Sequence, residues 1–185
     1  MNIKRFGLTI LFSALIVSAG ALALTSQDQD AMPSASSEHE LLMESVGTWD
    51  AAMKMWMGPG EPMSAQGTEV NRAVGPFHVV SDFKADMMGM DFDGHGISSW
   101  DPTKKKFITI WVDSTEPTPG ILEGTHDEKT KTMTFKGEMM MMGERMKVRQ
   151  VITMKDAEHR TFDMFITPPG GEEMQSMHID YTKKK

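Results

Sequence analysis

Nine turn signals divide the chain between residues 58 and 171, and their spacing limits what the segments between them can become. They are Gly58-Pro59-Gly60-Glu61-Pro62, Gly75-Pro76, Gly89-Met90-Asp91, Asp101-Pro102-Thr103-Lys104, Glu116-Pro117-Thr118-Pro119, Asp127-Glu128-Lys129-Thr130, Met142-Gly143-Glu144, Lys155-Asp156-Ala157-Glu158 and Pro168-Pro169-Gly170-Gly171. The segments between them are rich in β-branched, aromatic and methionine residues and read as about ten short strands. Connections this short join antiparallel neighbours, because a parallel neighbour needs a crossover of roughly a dozen residues or more. An open sheet of that width curls or leaves unpaired edges, so the expected fold is an all-β, closed, antiparallel up-and-down barrel.

The residues before Thr48 follow a different pattern. Lys4 and Arg5 precede an uncharged apolar run over residues 6–24 that ends in Ala21-Leu22-Ala23, the form of a secretory signal peptide cleaved after residue 23. Residues 24–37 are small and polar and read as a flexible linker, which leaves 38–185 as the barrel domain. This arrangement predicts an exported protein, periplasmic or secreted, with no stable membrane insertion once the leader is removed. There is no cysteine, so neither a disulfide nor a thioether-linked lipid is available and stability comes from packing. Ser37-Glu38-His39-Glu40 has capping-box spacing and Leu41, Leu42 and Val46 share a face, which predicts one short helix over residues 38–45, stopped by Gly47. The formal net charge is −7, and the only basic runs are residues 104–106 and 183–185, so nucleic acid is not an expected partner.

Several motifs carry a more specific resemblance. Gly47-Thr48-Trp49 after a short helix is similar to the G-x-W opening of lipocalin-like barrels. Met57-Gly58-Pro59-Gly60, Phe92-Asp93-Gly94-His95-Gly96, Trp100-Asp101-Pro102, Trp111-Val112-Asp113-Ser114, Glu123-Gly124-Thr125-His126-Asp127 and Tyr181-Thr182-Lys183-Lys184 follow in order. Together they resemble the domain of unknown function 1579 family, from about Glu38 to Lys184. Trp100 and His126 stand where the family often has tyrosine. The resemblance implies a lipocalin-like (calycin-type) barrel in the envelope or outside the cell. It implies no established activity and no catalytic residues.

Strand alternation gives the candidate site. With residues 101–106 as a hairpin turn, Trp100 faces Phe107, Ser98 faces Thr109, Gly96 faces Trp111 and Gly94 faces Asp113, so an indole lies over two glycines. This face, continued by Ile121, Glu123 and Thr125, mixes aromatic and carboxylate groups. The other face, with His95, Ile97, Ile108, Ile110, Val112, Leu122 and His126, is mostly aliphatic. So many branched residues are expected to be covered, by the helix or by a second subunit in a homodimer. We take the mixed face as the interior. The leading reading is a non-enzymatic carrier of a small apolar ligand, with Trp49, Trp100, Trp111, Asp113, Glu123 and His95 as candidate binding residues and a mouth near residues 58–62 and 116–119. The tryptophans could equally be ordinary barrel core.

Two other chemistries compete. The chain has twenty methionines in clusters, and Met53, Met55, Met57, Met139 and Met141 are candidate ligands for a soft metal such as copper, or sinks for oxidants. The ordinary role of methionine is adaptable core filler. Asp113, Glu123 and His95 could instead serve a hydrolase or isomerase. No nucleophile elbow, phosphate loop, dinucleotide fingerprint or zinc-ligand spacing is present among the six histidines and their neighbours, so no cofactor is implied.

Overall fold

A computed structural model describes residues 33–87 and 89–185. The expected signal peptide over residues 1–23, and the expected linker as far as residue 32, lie outside the described residues. Helix α1 (Ser37–Met43) begins one residue earlier than its spacing predicted. The capping pair is Ser36 and His39 rather than Ser37 and Glu40, with the Ser36 N–H donating to His39 Nδ1 at 3.0 Å. The imidazole takes the place of the expected carboxylate because it offers the same lone pair at the third helical position.

Ten strands follow: β1 (Gly47–Met55), β2 (Met63–Val74), β3 (His78–Asp86), β4 (Asp91–Asp101), β5 (Lys106–Asp113), β6 (Gly120–Asp127), β7 (Thr132–Met141), β8 (Glu144–Met154), β9 (His159–Thr167) and β10 (Met174–Lys183). Each of the nine predicted turns falls at a connection between consecutive strands. All pairings are antiparallel between sequence neighbours, and β1 pairs with β10 to close the barrel, with Trp49 opposite Lys183 and Ala51 opposite Tyr181. Closure removes the edges that an open ten-stranded sheet would expose.

On β1 the side chains of Trp49, Ala51, Met53 and Met55 are buried while Asp50, Ala52 and Lys54 are exposed, the alternation expected of a core-facing strand. The β4–β5 register is the expected one, with Gly96 opposite Trp111 and Gly94 opposite Asp113. The next ladder differs from expectation. Trp111 pairs with Gly120 across a connection of residues 114–119, so odd positions on β5 face even positions on β6. Leu122, Gly124 and His126 therefore share the interior side with Trp111, while Ile121, Glu123 and Thr125 point outward. The alternation within each strand was legible; its phase across this connection was not.

The exterior aliphatic face is exposed on the single barrel. Ile97, Ile110 and Ile121 are in direct register on β4, β5 and β6 and are 45%, 37% and 57% exposed. Helix α1 therefore does not cover them; it lies against β3 and β4, with Leu42 buried beside Val79. Among the described residues no helix is long and apolar enough to cross a membrane.

Candidate functional site

The barrel encloses a cavity of about 1400 Å³. Its wall explains the composition: fifteen of the twenty methionines line it, with Phe83, Phe92, Phe135, Phe162, Trp56 and Trp111. The β7 methionines belong to this wall. Met139 lies over Gly120, where an added Cβ would stand 2.5 Å from its terminal methyl, and it pairs with Met146 on β8.

Trp111 and Asp113 are placed as their spacing predicted. The indole lies against Gly94 and Gly96, and a methyl group on Gly94 would overlap the ring. Trp111 Nε1 donates to Asp113 Oδ2 at 2.9 Å. The other carboxylate oxygen, Oδ1, accepts from the Thr115 N–H at 2.8 Å, the Thr115 hydroxyl at 2.6 Å and the Glu116 N–H at 3.1 Å. Asp113 thus holds both the indole and the β5–β6 connection. Glu116 extends that scaffold by accepting from the Met142 N–H at 2.6 Å.

The remaining candidates are distributed differently. Trp49 is fully buried outside the cavity wall, donating from Nε1 to the Ser45 carbonyl at 2.8 Å. Trp100 packs on Phe107 with ring centroids 4.8 Å apart, also behind the wall. Glu123 is outside the barrel, where it accepts from Lys104 Nζ at 2.7 Å and raises the Lys104 pKa through that hydrogen bond. His95 is also outside, 2.6 Å from Asp82. The proposed grouping of Asp113, Glu123 and His95 is therefore corrected: the barrel wall separates the first from the other two, because of the odd-to-even phase of β5 against β6 and the outward parity of His95 on β4. Of the candidate metal ligands, Met53 and Met55 are buried on β1 and Met139 and Met141 lie on β7, which is not a neighbour of β1; Met57 follows β1 and is 67% exposed. They do not form one cluster through strand pairing.

Alternation alone did not single out the polar group inside the barrel. Glu69, Asn71, Arg160 and Tyr181 are all buried and all border the cavity. Glu69 Oε1 accepts from Arg160 Nη2 at 2.5 Å and Asn71 Nδ2 at 2.6 Å, and Oε2 accepts from the Tyr181 hydroxyl at 2.7 Å. The Arg160 guanidinium lies over Trp49 and Tyr181, 4.6 and 4.3 Å from their ring centroids. Asn71 Nδ2 also donates to the Ser45 carbonyl at 3.0 Å, which joins the network to the segment after α1. Burial, and secondarily the neighbouring Glu69 carboxylate, hold the Tyr181 phenol well above its ordinary pKa of 10.0. The sequence signal was parity: Glu69 and Asn71 are in phase with buried Ala65, and Arg160 with Met164.

The sequence matches the family described as protein of unknown function (DUF1579) over residues 34–183, which span the helix and nearly all of the barrel. The chain belongs to DUF1579. No curated protein is similar to it in sequence. Among the solved structures similar to this DUF1579 barrel are two with the same fold. Rv2717c from M. tuberculosis superposes with a TM-score of 0.65 at 8% identity, over 82% of this chain and 100% of the other. The S-type phycobiliprotein lyase CPES from Guillardia theta gives 0.61 at 12% identity, over 81% and 94%. At these identities the likeness is one of fold.

Proposed function

We propose that this DUF1579 protein is exported and carries a small apolar ligand in the barrel. The observation that carries the reading is the cavity of about 1400 Å³ walled by thioethers and aromatic rings. A barrel closed for stability alone would fill its interior with side chains to crystal-like density. Methionine suits a ligand wall because its unbranched side chain repacks around different shapes and its sulfur makes favourable contacts with aromatic rings. Trp111 supplies a flat surface fixed by Asp113, so its orientation is set before a ligand arrives. The network of Glu69, Asn71, Arg160 and Tyr181 gives one side of the cavity a polar border, which favours an elongated apolar molecule with a hydrogen-bonding group.

The test is titration of the purified protein with the neutral fluorescent probe N-phenyl-1-naphthylamine, with melting measured on the same samples. Saturable binding is expected, with quenching of tryptophan emission. At probe concentrations near 100 times Kd, stabilisation should reach about 2.7 kcal/mol. Trp111→Ala should weaken the probe. A folded protein that binds no probe, and that loses about 3–5 kcal/mol on Trp111→Ala, would identify the tryptophan as core and end the carrier reading.

A further inference from the structure

One part of the cavity wall has a composition that apolar binding does not require. Met55, Met177 and Met164 occupy directly paired positions on three adjacent strands, Met55 opposite Met177 and Met177 opposite Met164. Directly opposite residues of an antiparallel pair have Cα atoms about 4.5–5.5 Å apart, within reach of flexible thioether side chains. All three border the cavity, and Met55 and Met164 are each 8% exposed.

The position of Met177 depends on a bulge. Gln175 pairs with Phe165 and Met177 with Met164, so Ser176 is an extra residue in β10. Its hydroxyl donates to the Met164 carbonyl at 3.2 Å, and its own carbonyl accepts from the Trp56 N–H at 2.9 Å. Without that residue the next side chain after Gln175 would keep its original phase; with it, Met174 and Met177 both border the cavity. A bulge interrupts a ladder to re-aim a side chain, and here the side chain it re-aims completes a row of three paired methionines.

We propose that Met55, Met164 and Met177 bind Cu(I) through three thioether sulfurs. Neutral thioether sulfur selects Cu(I), whereas Cu(II) favours nitrogen and oxygen donors and zinc takes thiolate, imidazole or carboxylate. Among the described residues no group of three or more His, Cys, Asp or Glu side chains is placed to hold a metal ion, so no harder donor set competes. This site differs from the one that M-x-M spacing along β1 indicated: its ligands come from three strands, and only Met55 is shared.

The test is anaerobic titration of the purified protein with Cu(I) against bicinchoninate, repeated with Ag(I) as a redox-inert ion. One ion per chain is expected, with sulfur-only scattering at the copper absorption edge. Met55→Leu, Met164→Leu and Met177→Leu should each weaken binding at least tenfold, while Met90→Leu, exposed in the β3–β4 connection and away from the cavity wall, leaves it unchanged. Leucine conserves volume, and melting curves identify any variant that has lost its fold. Nitrogen or oxygen scattering, failure to compete with bicinchoninate, or unchanged affinity in the folded triple variant would overturn the site. Titrating that variant with N-phenyl-1-naphthylamine keeps the two proposals distinct, since the carrier reading stands or falls on the probe alone.

Discussion

Glu69 and Arg160 are 8% and 6% exposed, and neither charge would be tolerated there alone. Glu69→Leu leaves the guanidinium unpaired and should cost about 3–5 kcal/mol in urea unfolding. Glu69→Leu with Arg160→Met should recover most of that loss, because an apolar pair of similar volume removes both desolvation costs. A double variant as unstable as the single one would show that the network is needed for the fold beyond its charges. Tyr181 is the only tyrosine in the chain, so absorbance at the phenolate band reports this one group. Its folded pKa is raised above 10.0, so the folded state retains a proton that the unfolded chain loses. Its contribution to stability is therefore full below about pH 10 and declines as pH rises from there towards the folded pKa. Tyr181→Phe should lack that alkaline decline, and in the native protein phenolate should appear only with unfolding. Phenolate forming near pH 10 in the folded protein would place the hydroxyl in water. Exposure also orders the methionines: Met57, Met90 and Met142 are 67%, 65% and 69% exposed and Met53 is 2% exposed. Mild peroxide followed by peptide mapping should show the first three oxidised well before Met53.

Between elements, the contact most open to test is the one β4 makes with β5. Gly94→Ala places a methyl group against the Trp111 ring and should destabilise by about 1–3 kcal/mol. In a Trp111→Leu background the same change should cost less, and the difference is the coupling. Additive effects would mean that the indole does not lie on that glycine. Ile110→Thr, on the outer face, should change stability by no more than about 0.5 kcal/mol, whereas Leu122→Ala, fully buried on β6, should cost about 2–5 kcal/mol. These contacts also show how far the sequence could be read. Asp101-Pro102-Thr103-Lys104 fixes a tight turn, so the register from Trp100 and Phe107 outward followed directly. Residues 114–119 fix none, and a slip of one residue reverses which side chains face inward. That is why Glu123 was expected beside Asp113 and is found outside with Lys104. The interior polar group was hard to read for another reason. Glu69 and Arg160 are 91 residues apart, and only closure of β1 on β10 brings β2 and β9 within reach of each other.

At the scale of the whole molecule, a cavity of about 1400 Å³ must hold something when no ligand is bound. If it were dry, unfolding would eliminate a void of roughly 800 mL/mol, far beyond the ~20–100 mL/mol by which proteins ordinarily contract on unfolding. Small cavities walled only by aliphatic and aromatic groups stay dry, but this one is bordered by Glu69, Asn71 and Arg160 and has room for on the order of 40 waters. The empty protein should therefore be hydrated inside, and its unfolding volume under pressure should fall within the ordinary range. Water against a thioether and aromatic wall is poorly held, so an apolar molecule that displaces it gains affinity without losing strong hydrogen bonds. Binding of N-phenyl-1-naphthylamine should then show a clearly negative heat-capacity change in calorimetry at several temperatures, as apolar surface leaves water. An ordinary unfolding volume together with a negative heat-capacity change is what a wet carrier requires. An unfolding volume several times larger would mean a dry interior, and binding without a heat-capacity change would place the probe somewhere other than this wall.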